Sequence, residues 1–376
     1  MDDRSTRRRW RKRSRHTIGD SFSGLRKNRY AIASLPVDAE ARKDRSPDYV
    51  TGPESVGTTA EELPSARVRA DNETSQMPTL GQPAERDEAR PMHAEAAQAS
   101  PPLERLRARA RHENFPVALR VLPPRYRRHL LTLYAFARMV DDIGDAAPGD
   151  RLSLLDGVSA QLDRVYSGTA GDDPLYRGLA HTVSMCDLPR SELERLVEAN
   201  RRDQVVYRYR TFDELLSYCA LSANPVGRLV LRVFDSDSER RRLLSDRICS
   251  ALQVLEHCQD VVEDAYAGRV YLPTVDLERY GVAEDDLVAA RAGTGVRAAV
   301  ALQVQRAVRL LDEGAPLVND LRGAARLAVA GYVAGGRATA RALADAGFDV
   351  LARTPRPRRS HVAASLLTSL GSGGVR

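Results

Sequence analysis

The stretch from Gln253 to Pro273 constrains this chain most, because it is apolar enough to be buried yet carries Glu256, Asp260 and Asp264 at four-residue intervals. On an α-helix four residues turn about 400°, so each carboxylate lies about 40° round from the last and the three form one acidic stripe. Val254, Leu255, Val261 and Val262 give the same segment apolar surface to bury. A helix that carries aligned carboxylates into a core must offset their repulsion. Divalent cations do so, and an all-oxygen ligand set favours Mg²⁺. Gly268 stands where a C′ residue would end the helix, leaving Arg269 and Tyr271 at the mouth to meet an anionic group. A solvated acidic face would show the same spacing, so this stripe alone leaves both readings open.

A second stripe favours the metal reading. Asp141 and Asp145 share a helix face directly after the apolar run Leu133–Val140, with Arg138 one turn earlier. Two such helices facing each other, with several Mg²⁺ between them, would suit the binding and ionisation of a diphosphate.

The 376 residues are not uniform. Residues 1–100 hold few apolar clusters, and segments such as Thr51–Thr74 and Gln76–Pro102 show no periodicity. They cannot bury enough surface to offset the entropy of ordering, so a disordered extension is expected there. Residues 101–360 suffice for one large core, and 361–376 are expected to be a flexible tail. The formal charge of +6 owes much to a cluster from Arg4 to Arg15 around Trp10. It reads as a solvated tail or as a peripheral contact with anionic membrane lipid; a nucleic-acid partner is not expected. No apolar h-region follows it, and no apolar run reaches the roughly 18 residues of a membrane span. A cytoplasmic protein is expected, with contact at the inner membrane face as the one qualification. Cys186, Cys219, Cys249 and Cys258 have no close-paired spacing and read as reduced, buried thiols.

From residue 101 the chain reads as helices: Leu103–Arg111, Arg125–Ile143, Asp150–Tyr166, Pro174–Met185, and one from Pro189 toward Asp203. Phe212–Phe234 follows, interrupted at Asn224-Pro225, where the lost hydrogen bond favours a kink that either opens space for a ligand or merely bends the packing. Ser238–Ala267 carries the acidic stripe, and Glu284–Arg291, Val296–Leu311 and Leu321–Ala346 complete an all-α set.

The two stripes and their flanks resemble the squalene/phytoene synthase family over about Leu103–Leu351. Glu113–Ala118, Tyr134–Arg138 and Tyr218–Gly227 are most similar to the bacterial hydroxysqualene synthases of hopanoid biosynthesis. The resemblance implies an isoprenoid-synthase helical fold around a deep apolar cavity, presqualene diphosphate as substrate and hydroxysqualene as product. It implies that Asp141, Asp145, Asp260 and Asp264 bind Mg²⁺, that Arg138, Arg269 and Tyr271 hold the diphosphate, and that Tyr134 and Tyr218 lie near the cavity. Glu256 departs from the pattern, standing where Asn is expected; it can still ligate Mg²⁺ but adds a charge.

The implied chemistry is loss of diphosphate, rearrangement of a cyclopropylcarbinyl cation and capture by water, oriented by a polar group such as Asn224 or Tyr218. Tyr134, Phe136 and Tyr218 are candidates for an aromatic rim, with core packing as their other reading. His257 reads as a packing or supporting residue, and Tyr207 and Tyr209 either approach the site or end a solvated helix. The nearest alternative is a head-to-head prenyltransferase acting on farnesyl or geranylgeranyl diphosphate to make squalene, presqualene diphosphate or phytoene. A non-catalytic scaffold is the alternative of another class, and the intact stripes speak against it.

Overall fold

The computed structural model describes residues 122–371. The basic extension, the helix Leu103–Arg111, the Glu113–Ala118 motif and the last five residues lie outside them.

The central element is α7 (Glu239–Gln259), in which every residue from Ser250 to Gln259 is buried. A helix covered on all sides needs neighbours all round. α5 (Phe212–Ser222) and α6 (Asn224–Val233) pack on it from one part of the chain, and α10 (Thr294–Gly314) and α12 (Gly323–Asp345) from another. α1 (Pro124–Ala146) reaches this centre through α6 and is flanked by α2 (Arg151–Tyr166), α3 (Pro174–Cys186) and α4 (Arg190–Arg202). Local chemistry starts the helices as expected: Asp150, Asp173, Thr211 and Ser238 each accept a hydrogen bond from a backbone N–H of the following first turn. The break foreseen at Asn224-Pro225 separates α5 from α6.

Three differences from the sequence reading bear on the site. The helix expected over Ser238–Ala267 breaks at Asp260, whose φ of −103° and ψ of 20° end α7 and open α8 (Val261–Tyr266). The Asp260 N–H still donates to the Glu256 carbonyl at 3.0 Å, and Asp264 N–H to that of Asp260 at 2.8 Å. The ladder therefore continues through a bend, which re-aims the last two carboxylates. No Pro or Gly marks the bend in the sequence.

Second, Tyr207–Arg210 is not a helix end but an extended segment laid beside Val270–Val275; Val270, Thr274 and Val275 donate to the carbonyls of Tyr207, Tyr209 and Arg210 at 2.9–3.1 Å. Third, Arg359–Gly371 forms a helix, α13, where a flexible tail from residue 361 is expected. Ser365 and Ser369 are its buried residues, and small side chains let it lie close against the Ala- and Gly-rich α12. Glu284–Val288 is a 3₁₀ turn, shorter than the helix expected there. The short helices α9 (Thr274–Arg279) and α11 (Leu317–Asp320) are too brief for periodicity to reveal.

Candidate active site

The first carboxylate pair stands at the C-terminal end of α1. Asp141 is buried, and its Oδ1 accepts from Asn200 Nδ2 of α4 at 3.1 Å. Gly144 makes this approach possible, since a β-carbon there would lie 2.1 Å from Asn200 Oδ1. Gln204 Nε2 donates to the Gly144 carbonyl at 3.0 Å, a second strut between α1 and the end of α4. Arg138 donates to Asp142 at 2.7 Å. Burial opposes the charge on Arg138, but Asp142 and Asp141 outweigh it and hold the guanidinium pKa above its ordinary value.

The second group straddles the bend between α7 and α8. Glu256 is buried on α7, Asp260 is at the bend, and Asp264 Oδ2 lies 3.7 Å from His257 Nδ1. Gly268, at φ 82°, ends α8 as expected: its N–H donates to the Ala265 carbonyl at 3.0 Å and that of Arg269 to Asp264 at 2.8 Å. This turn delivers Arg269 to the first pair. Arg269 Nη2 donates to Asp145 Oδ1 at 2.7 Å, while Nη1 lies 3.7 Å from Asp203 Oδ2. Arg269 thus joins the two acidic segments across 124 residues of sequence.

Two cavities lie among these helices, the larger reaching Glu256 and the smaller bordered by α1. The larger, about 690 Å³ of empty space with its opening, has apolar walls such as Val226, Val230, Ile248 and Leu252. Its polar groups include Ser245, Cys249, Gln253 and Glu256, spaced along one face of α7, with Tyr332 opposite on α12. The smaller cavity, about 410 Å³, is lined by Tyr134, Leu130, Leu133 and Ala137 of α1 and shares Val226 and Val230 with the first.

Asp203, Ser250 and the core engage several of the expected site residues. Tyr218 is fully buried, lines neither cavity, and donates to Asp203 Oδ2 at 2.7 Å. Tyr271 is 3% exposed and donates to Asp203 Oδ1 at 2.9 Å. The reason is the same for both: a buried phenol needs an acceptor, and Asp203 supplies it. Asn224 also lies off the cavities; its Oδ1 accepts from Ser250 at 2.9 Å. Phe136 is at 0% exposure and packs in the core. His257 stacks on Tyr271 at 3.8 Å, with Tyr209 and Tyr218 completing the cluster. Asn200, Asp203 and Gln204 had no signal in the sequence beyond being polar at a helix end.

Among the described residues no three of the His, Cys, Asp and Glu side chains converge into a metal-holding group. The donor chemistry nonetheless fits Mg²⁺, which takes one or two carboxylates and completes its shell with phosphate oxygens and water. No helix among the described residues is long and apolar enough to cross a membrane. The four cysteines are free, and burial raises the thiol pKa of Cys219, Cys249 and Cys258 to about 12.

Around the larger cavity the helices take the all-α arrangement of isoprenoid synthases. A crystal structure of squalene synthase HpnC from Alicyclobacillus acidocaldarius superposes with a TM-score of 0.61, at 41% identity, over 67% of this chain and 98% of that one. A dehydrosqualene synthase crystal structure at 21% identity shares the fold with a TM-score of 0.65, over 72% of this chain and 95% of that one. Residues 108–363 match the squalene/phytoene synthase family, and the chain belongs to it. A hydroxysqualene synthase from Zymomonas mobilis is 34% identical over 228 residues, 58% of this chain and 74% of the relative.

Proposed function

We propose that the protein converts presqualene diphosphate and water to hydroxysqualene and diphosphate. The observation that carries this reading is the juxtaposition at α7 of an acidic, arginine-bearing mouth with an apolar cavity that holds one polar strip. The similarity to hydroxysqualene synthases supports the particular reaction. Asp141 and Asp145 on one side, and Asp260 and Asp264 with Glu256 on the other, would hold Mg²⁺. Bound there, Mg²⁺ neutralises charge developing on the departing diphosphate.

The chain's own residues do the rest. Arg269 exchanges Asp145 for a diphosphate oxygen, and Arg138 adds a second charge-assisted donor. The bond between carbon and diphosphate oxygen breaks with its electron pair leaving on the diphosphate. The apolar walls and Tyr134 surround the rearranging cation and keep bulk water out. A water held along the strip of Gln253, Ser245 and Tyr332 forms the new carbon–oxygen bond and releases one proton. Gln253, Ser245 and Tyr332 line the larger cavity, whereas Tyr218 donates to Asp203 and Asn224 accepts from Ser250.

The test is incubation of the purified protein with presqualene diphosphate and Mg²⁺ in ¹⁸O-water, without nicotinamide. Hydroxysqualene carrying one heavy oxygen is expected. Squalene formed only on adding NADPH, or farnesyl diphosphate consumed to presqualene diphosphate or geranylgeranyl diphosphate to phytoene, would assign the chain to the head-to-head branch.

A further inference from the structure

Asp203 follows α4 and carries a side chain with 0% exposure, a costly place for a carboxylate unless it is paired and hydrogen-bonded. Both oxygens are engaged: Tyr271 donates to Oδ1 at 2.9 Å, Tyr218 to Oδ2 at 2.7 Å, and Arg269 Nη1 stands 3.7 Å from Oδ2. Two phenols alone could be satisfied by backbone carbonyls; an ionic acceptor facing a guanidinium does something more. Arg269 also reaches the mouth, through Asp145.

We propose that Asp203 is a positioning residue, an anchor behind Arg269 that holds the guanidinium toward the diphosphate once Asp145 turns to its cation. The inference rests on the diphosphate reading of the mouth. Arg269 has two acidic neighbours of unequal standing. Asp145 is exposed and shared with the site, whereas Asp203 is enclosed and braced by two hydroxyls. When diphosphate replaces Asp145 at Nη2, Asp203 remains at Nη1, so the side chain is presented without having to be reordered. The turn at Gly268 holds the Arg269 backbone at the same time.

The experiment is a calorimetric titration of the full chain with inorganic diphosphate in the presence of Mg²⁺. Absence of binding to the unaltered protein would remove the diphosphate reading and the inference with it. With binding established, Asp203→Asn is expected to weaken it about tenfold or more, and Arg269→Ala likewise. The double variant should bind within about twofold of Arg269→Ala, because Asp203 acts through that side chain. Tyr218→Phe supplies a second cycle that does not require altering the carboxylate. Its hydroxyl lines neither cavity and bears on the mouth through Asp203, so a severalfold loss is expected that vanishes in the Arg269→Ala background. Should Asp203→Asn not fold, this second cycle decides. A folded Asp203→Asn protein with unaltered affinity, or a Tyr218 or Asp203 effect that persists at full size without Arg269, overturns the proposal while the diphosphate site stands.

Discussion

Gly144→Ala tests how tightly the first carboxylate pair is built. The new β-carbon would lie 2.1 Å from Asn200 Oδ1, 2.9 Å from its Cγ and 3.1 Å from its Cβ. Turning the amide away leaves the Cβ contact, so α1 and α4 must also part slightly. Overpacking of this kind costs about 1–3 kcal/mol. Displacing the amide breaks its 3.1 Å bond to the buried Asp141 carboxylate, worth about 1.5–3 kcal/mol for a charged acceptor. The combined loss is about 2.5–6 kcal/mol. At about 2–4 °C per kcal/mol for a domain near this size, the melting temperature should fall by about 5–24 °C. Differential scanning calorimetry measures the fall, and Asn200→Ala provides the control. With the amide gone only the 3.1 Å contact with the residue-200 β-carbon remains, so Gly144→Ala should cost less in the Asn200→Ala background than alone, and the two losses should fall short of adding. If Gly144→Ala melts within about 2 °C of the unaltered protein, the α1–α4 contact is looser than the distances state and the argument for Asn200 as the Asp141 strut fails.

Three other expectations follow from single features. Asp260→Asn should lower turnover of presqualene diphosphate on the order of 100-fold or more at limiting Mg²⁺ with helicity by circular dichroism intact, and near-normal turnover would remove Asp260 from the ligand set. Gly268→Ala places a β-carbon at φ 82° with no neighbour within 4 Å, so its cost is conformational, about 1 kcal/mol, and Gly268→Asn should cost less; equal melting temperatures for all three proteins would contradict this. Burial first, then His181 and Arg128, lower the pKa of His129, which also hydrogen-bonds Thr182 at 3.0 Å. The fold therefore disfavours its protonated form. This contribution to stability is complete above the ordinary imidazole pKa of about 6.5 and is lost as pH falls below it toward the folded value. The melting temperature should drop between pH 7.5 and 5.5 by less in His129→Gln than in the unaltered protein, and equal drops would show that His129 is not the group responsible.

What could be read along the chain was whatever repeats at short range. α1 and α7 announce themselves by apolar residues at helical spacing, and the acidic groups by their four-residue intervals, because both depend on the geometry of one helix. Gly268 was legible for the same reason: a helix end is a local event, and the turn there forms as expected. The bend at Asp260 was not, since no residue type there forbids a straight helix.

Which side of a helix a tyrosine shows to a cavity is a different kind of fact. Tyr134 lines the smaller cavity and Tyr218 does not, although the sequence treats them alike. Tyr218 is claimed by Asp203, 15 residues away, and Tyr271 by the same carboxylate from 68 residues away. Asp203 looks like one more polar residue at a solvated helix end when only Arg201, Arg202 and Gln204 are in view. Its burial arises when Tyr207–Arg210 folds against Val270–Val275 and brings Arg269 over it. By itself the sequence determined an all-α chain, two acidic segments and the family, since local periodicity and motif spacing suffice for those. Which carboxylate anchors the arginine, and which side chains face the cavity, was decided by the packing of distant segments. A buried polar group takes the partner that the fold brings within reach, and that partner is not its neighbour in the chain.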